Sequence, residues 1–193
     1  MPRAKLFNKD EALNKAMELF WKKGYHATSM QDLVTHLSIN RASLYDTFGG
    51  KQNLFDQSLK LYCDTNRDGT IKFLRSQKRV KEGFLKLFEN AISKSTTDPD
   101  QKGCFVVNST TELIPGEEHI KESLISNRAF FEGVFYEFLL SGQKNGEISK
   151  DKDIKSIASL IYTLLNGINV IAKIEPDQKK LLSSIRTALS LLD

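Results

Sequence analysis

An all-α fold of about nine helices is what this 193-residue sequence predicts, and three observations carry that expectation. Helix start and stop signals recur along the chain, and no stretch shows the sustained period-two alternation of a half-buried strand. Only four prolines occur, which leaves room for long helices. A hydrophobic fraction of 40% and a charged fraction of 27% place the chain among globular proteins, with enough length for a proper core.

The first helix is expected to start at Asn8, an N-cap with Glu11 three residues on in the spacing of a capping box. Leu13, Ala16, Met17 and Phe20 then share one face, and Gly24 closes the helix. A short second helix follows Thr28 and Ser29, with Asp32 at the box position and Leu33, Val34 and Leu37 facing inward. Ser38 and Ile39 make a tight turn, and Asn40 caps a third helix. Ile39 and Leu44 have the spacing of a hydrophobic staple, which sets the angle at which the chain enters that helix. Gly49 and Gly50 end it, and Lys51 opens a fourth helix running through Leu54, Phe55, Leu59 and Tyr62.

Five more helices are expected near 80–95, 103–114, 118–145, 153–174 and 176–192. Residues 95–102 form a polar loop, Pro115 and Gly116 a break, and Asn145 and Gly146 a stop. Pro176 is placed in the first turn of the last helix, where proline is best tolerated. The expected division is a first domain over 1–60 and a second over 61–193.

Residues 28–48 have the layout of a helix-turn-helix: two short helices joined by a three- to four-residue turn. In such a unit the second helix presents its first residues to base edges in the major groove. Here Leu44 and Phe48 face the core, so Arg41, Ala42, Ser43 and Tyr45 point outward with chemistry suited to phosphates, bases and thymine methyls. The same spacing also suits a solvated polar helix in any small bundle. Lys51 weighs on the first side, because a cation in the first turn opposes the helix dipole unless a phosphate sits there. Arg3 and Lys5 form a short basic arm or a solvated terminus. Of the formal net charge of +4, the first sixty residues hold most, with nine Lys/Arg against six Asp/Glu.

The run Thr28-Ser29-Met30-Gln31-Asp32-Leu33, then Ser38-Ile39-Asn40-Arg41-Ala42-Ser43-Leu44-Tyr45, then Phe48-Gly49-Gly50-Lys51 with Leu54-Phe55, resembles the DNA-binding signature of the TetR family of regulators. Ala16, Leu19, Phe20, Gly24 and Tyr25 are similar to that family's first helix. The resemblance covers about the first sixty residues. It implies a helix-turn-helix domain followed by a helical ligand-binding and dimerisation domain, in a repressor released from double-stranded operator DNA by a small molecule. It also implies base or phosphate contacts from Arg41, Ala42, Ser43 and Tyr45, with Asn40 at the helix opening, and phosphate contacts from Thr28, Thr47 and Lys51. Ser38 stands where the family usually has a turn glycine, and Asp46 and Thr47 where it often has His and Tyr. Asp46 would repel phosphate if it faced DNA.

Beyond residue 60 the signals are weaker. The stretch from Lys102 to Asn108 is similar to a sixth-helix opening in one branch of TetR-like regulators. Phe84, Phe88, Phe131 and Phe135 belong to an aromatic set that serves either a core or a pocket. With Tyr62, and with Cys104, Asn108 and Thr111 spaced along one helix face, they are the candidate lining for an unknown small, largely apolar ligand. The last two helices are apolar over more of the cylinder than one core face requires, from Ile154 to Ile171 and from Leu181 to Leu192. That favours a homodimer through these helices over a single helix buried within one subunit.

Other classes are disfavoured. His26, His36 and His119 have no metal-ligand spacing, no hydrolase or zinc-protease motif occurs, and Gly50-Lys51 lacks the Ser/Thr and first glycine of a phosphate loop. Neither an enzyme nor a cofactor is expected. Met1 to Glu11 lacks the apolar core of a signal peptide, and the longest uncharged stretch, 156–172, falls short of a membrane span, so a cytoplasmic protein with no membrane partner is expected. Two alternatives stay open: a thiol or electrophile sensor using Cys104, since helix starts favour the thiolate although an inert buried cysteine suits the same position better, and a TetR-fold adaptor that binds protein.

Overall fold

The computed structural model describes residues 7–114 and 116–193; the Arg3 and Lys5 arm and Pro115 lie outside them. Nine α-helices make up the described chain: α1 (Lys9–Lys23), α2 (Met30–Leu37), α3 (Arg41–Phe48), α4 (Lys51–Arg75), α5 (Val80–Thr97), α6 (Phe105–Leu113), α7 (Glu118–Lys144), α8 (Ile154–Ile174) and α9 (Gln178–Leu189), with a 3-10 turn over Ser190–Leu192.

Local chemistry explains most boundaries. Asn8 Oδ1 accepts the N–H groups of Asp10 and Glu11, but Glu11 does not complete a capping box; its carboxylate pairs with Lys15 one turn on, at 2.6 Å. α5 runs to Thr97, so the polar loop is shorter than expected, because the Thr96 and Thr97 hydroxyls bond back to carbonyls in the preceding turn. Cys104 is the N-cap of α6 and not a member of it. Pro176 precedes α9 and does not lie in its first turn; Asp177 caps that helix, accepting from the N–H groups of Lys179 and Lys180.

Two apolar clusters divide the interior. The first joins α1–α3 and the start of α4, through Ala16, Phe20, Leu33, Leu44, Phe48 and Phe55, to Phe105, Val106, Leu113 and Ile120. The segment around α6 thus shares a core with the first sixty residues. The second cluster packs α5 against α7, α8 and α9 around Phe84, Phe88, Phe135, Leu139, Ile161 and Ile185.

α8 and α9 bury one face each, through Ala158, Ile161, Ile168, Ile185 and Leu189. On the outer side, Val170, Ile171, Ile174 and Leu191 are exposed, Ile174 at 77%. Gly167 has no heavy atom within 4 Å of where a Cβ would stand. At 21 residues, with a mean hydropathy of 1.5 over its most apolar 18, α8 is long and apolar enough to cross a membrane by length and composition. Its uncharged run, 156–172, is shorter than the helix, and in this fold its inner face packs on α5 and α7.

Candidate nucleic-acid interface and ligand cavity

The helix-turn-helix is built by its caps. The Ser29 hydroxyl accepts the Asp32 N–H at 3.0 Å, and the Asp32 carboxylate accepts the Ser29 N–H at 2.8 Å, closing a full capping box. The Ser29 amide and hydroxyl, joined by Lys23 at 3.0 Å, hold the Asp32 carboxyl well below the usual carboxylate range. Ser38 ends α2 in the left-handed region, φ 55° and ψ 39°, and so adopts the conformation a turn glycine would supply. Asn40 Oδ1 accepts the Ser43 N–H at 2.8 Å and starts α3.

Leu44 and Phe48 are buried, which turns the opposite face of α3 outward. Arg41, Ala42, Tyr45 and Asp46 are exposed on it, and Ser43 and Thr47 are half-buried. The Arg41 guanidinium sits 5.8 Å from the Tyr45 ring centre, so the two longest side chains of this face brace each other. Asp46 places a negative charge among them.

Lys51 stands in the first turn of α4, whose N-cap, Gly50, offers no side chain to the free N–H groups. Its ammonium lies 4.4 Å from the Tyr25 ring, and burial there lowers its pKa. Cation and free N–H groups at this helix end beside α3 have the chemistry that suits an anion. Thr28 is placed differently from the expectation: it is fully buried, and its hydroxyl donates to the Gly24 carbonyl at 2.6 Å. Its side chain serves the α1–α2 turn and does not present a surface to DNA.

The same turn is held from a distance. Glu112 of α6 accepts the backbone N–H groups of Tyr25 and His26 at 3.0 and 2.7 Å. Gly24, at φ 85°, lets the chain pass so close that a Cβ there would come within 2.8 Å of that carboxylate. Trp21 Nε1 donates to the Gly103 carbonyl at 3.2 Å, and the Lys102 ammonium reaches Glu18 at 2.8 Å. Nothing in the sequence marked Glu112, because its partners are backbone groups more than eighty residues away.

A cavity of about 230 Å³ opens between α4, α5, α7 and α8. Of the expected ligand residues, Tyr62, Cys104 and Phe131 line it. The others are placed elsewhere. Phe84, Phe88 and Phe135 are fully buried in the second core. Asn108 is held between the Lys102 carbonyl and the Lys173 ammonium, and Thr111 is exposed with its hydroxyl bonded to its own helix. The sequence reading missed the amides on the wall: Asn66, Asn90, Asn127, Asn166 and Asn169. They lie on four different helices, so no local spacing brings them together.

Of the two readings of Cys104, an activated thiol at a helix start and an inert buried cysteine, its surroundings favour the second. Burial pushes its pKa up, against the smaller opposing pull of nearby N–H groups and the Tyr62 hydroxyl, which donates to Sγ at 3.7 Å. Cys63 is also desolvated, to a pKa of about 11.

A family model described as the tetracyclin repressor-like C-terminal domain matches residues 82–188, and one described as bacterial regulatory proteins of the tetR family matches 12–57. The chain belongs to the TetR family. Among its TetR relatives, the HTH-type transcriptional regulator YezE of Bacillus subtilis (strain 168) is 33% identical over 195 residues, covering 100% of both chains. The HTH-type transcriptional repressor ComR of Escherichia coli (strain K12) is also 33% identical, over 98% of this chain and 90% of its own. A cysteine mutant of the TetR-family regulator CifR, solved with 26-bp double-strand operator DNA, superposes with a TM-score of 0.87 at 29% identity, covering 97% of this chain and 98% of that one. In this TetR chain α4 is continuous from Lys51, beside α3, to Tyr62 and Asn66 on the cavity wall.

Proposed function

We propose that this DNA-binding regulator is a repressor that works as a homodimer and is released from operator DNA by a small molecule entering the α4–α8 cavity. The observation that carries the reading is α4 itself. One uninterrupted helix, about 37 Å long at 1.5 Å per residue, bears the anion-binding end at Lys51 and, about three and four turns on, the cavity residues Tyr62 and Asn66. A ligand that moves Tyr62 therefore moves Lys51, and it can shift the protein only by its preference for one of two arrangements.

Arg41, Ala42, Ser43 and Tyr45 are assigned to base edges and adjacent phosphates, and Lys51 and Thr47 to phosphates, with Asn40 setting the start of the reading helix. Two such heads must meet half-sites about one helical turn apart, which requires a two-fold dimer. The unpaired apolar face of α8 at Val170, Ile171 and Ile174, with Gly167 open for close approach and the polar outer face of α9 beside it, is the surface assigned to the second copy. Action on DNA places the protein in the cytoplasm.

The experiment is binding of the purified protein to the intergenic DNA upstream of its own gene, at two salt concentrations. Specific retardation at dimer stoichiometry that weakens steeply with salt is the expected outcome. Affinity no greater than for random DNA of the same length would overturn the assignment of that operator, and failure on a random-sequence selection as well would overturn DNA binding itself.

A further inference from the structure

We infer that the cavity takes an uncharged, ring-sized molecule that both donates and accepts hydrogen bonds, in the chemical class of a carboxamide or lactam. The inference rests on reading the cavity as the ligand site, and it follows from which atoms of the asparagine amides are already engaged.

A backbone carbonyl can be bonded only by an N–H, so the partners fix how each amide is turned. Asn66 Nδ2 donates to the Tyr62 carbonyl and Asn166 Nδ2 to the Tyr162 carbonyl, both at 2.8 Å. Each amide is thereby pinned to its own helix with its Oδ1 turned away from that carbonyl, and the Tyr162 hydroxyl stands beside the Asn166 and Asn127 amides. Asn127 is turned the other way. It is 3% exposed, and its Oδ1 accepts the Arg67 Nε–H at 3.0 Å, which leaves its two N–H groups as donors. Asn169 is closed, donating to the Leu165 carbonyl and accepting from the Ser95 hydroxyl. Of the four amides oriented by a bond, two offer acceptors and one a donor group, and the exposed Asn90 adds a fifth amide that no side-chain bond orients among the described residues.

Charge narrows the class further. Among the described residues no Asp or Glu lines the cavity, so a cation finds no counter-charge there. Arg67 faces Asp64 at 3.8 Å and stacks on Phe130 at 4.6 Å, and Lys94 is exposed, so an anion would lose its water without a buried cation to replace it. A purely apolar molecule would cover the half-buried Asn166 amide and leave its oxygen unbonded, whereas Asn66 is exposed and keeps access to water. Phe131, Tyr162 and Leu165 supply the surface for a ring, and 230 Å³ lies below the roughly 300–1,000 Å³ of sites for drug-sized ligands.

Three probes with one ring separate these cases: benzamide, benzoate and toluene, titrated against the full-length protein. Trp21, the sole tryptophan, reports on the site through its indole bond to the Gly103 carbonyl and its edge-on contact with Tyr62 at 4.9 Å. Benzamide should shift Trp21 emission and raise the melting temperature with an affinity at least about tenfold above either analogue. In an Asn66→Leu, Asn166→Leu double variant with unchanged helical circular dichroism, that preference should fall below about threefold. Toluene or benzoate binding as tightly as benzamide, or a preference that survives in the double variant, overturns the inference while leaving the cavity as a ligand site. No response to any of the three overturns both the inference and the ligand-site reading. Benzamide binding that leaves operator DNA bound overturns release by that route while the chemical class stands.

Discussion

Glu112 Oε1 accepts the backbone N–H of His26 at 2.7 Å, tying the last turn of α6 to the turn between α1 and α2, while Oε2 takes the N–H of Tyr25 at 3.0 Å. The contact fixes the DNA-reading head against the body that carries the cavity. Glu112→Ala should cost about 1–2 kcal/mol in urea unfolding, since two charge-assisted bonds of partly exposed groups are lost. If the contact also transmits the ligand signal, the factor by which a ligand lowers operator affinity should fall about fivefold or more in that variant. An unchanged factor alongside the stability loss would make Glu112 a brace and nothing else.

Ser38 carries the left-handed turn of the helix-turn-helix without being glycine. Ser38→Gly should stabilise the protein by about 0.5–1 kcal/mol, the relief of the side chain's steric cost less the extra chain entropy of glycine. Operator affinity should stay the same. A drop in melting temperature would mean that the serine makes an interaction worth more than the strain.

Arg41 and Lys51 are assigned different work, and salt tells them apart. Lys51→Ala should weaken binding to all DNA alike and reduce the slope of log affinity against log salt by about 0.9. Arg41→Ala should cost about 1–3 kcal/mol on the operator and relax its sequence preference. An Arg41→Ala protein with full affinity and preference would point to a different reading helix or to an adaptor that binds protein.

The raised pKa values of Cys63 and Cys104 fix the sign of a pH effect. A thiol whose folded value lies above its ordinary value of 9.0 keeps its proton longer when folded. Its contribution is complete below pH 9 and is lost as pH rises towards the folded value, about 11 for Cys63. Stability should therefore decline between pH 9 and 11. Alkylation of Cys63 by iodoacetamide at pH 7.5 should run about a hundredfold slower than in the urea-unfolded chain. Rapid modification of native protein at that pH, or release from DNA by electrophiles that Cys104→Ser abolishes, would revive the thiol-sensor reading.

Ile171 and Ile174 test the dimer face. Ile171→Glu with Ile174→Glu should convert the proposed dimer to a folded monomer in analytical ultracentrifugation, because two charges would be buried opposite their own symmetry copies. Operator binding should fall with it. A variant that remains dimeric would move the interface away from this end of α8.

The sequence alone determined the helices and the reading head, because both are written in short-range chemistry. A capping residue and its N–H lie three positions apart, as do Ser29 and Asp32 or Asn40 and Ser43, and a buried stripe such as Leu44 and Phe48 repeats every turn. The outward set from Arg41 to Tyr45 follows from that stripe. The same logic recovered the surplus apolar face of α8, where exposed Ile171 and Ile174 share a helix with buried Ile161 and Ile168.

Only the tertiary structure decided which of these residues are free to act. Thr28 has the chemistry of a phosphate ligand, yet its hydroxyl is spent on the Gly24 carbonyl; Phe84, Phe88 and Phe135 look like a pocket and fill a core. Cys104 sits at a helix start, where the N–H groups should favour the thiolate, and burial outweighs them. The cavity amides and the Glu112 contact arise between helices far apart in the chain. Burial and pairing are properties of what lies across the gap, and a local pattern holds no record of that neighbour until the chain has packed.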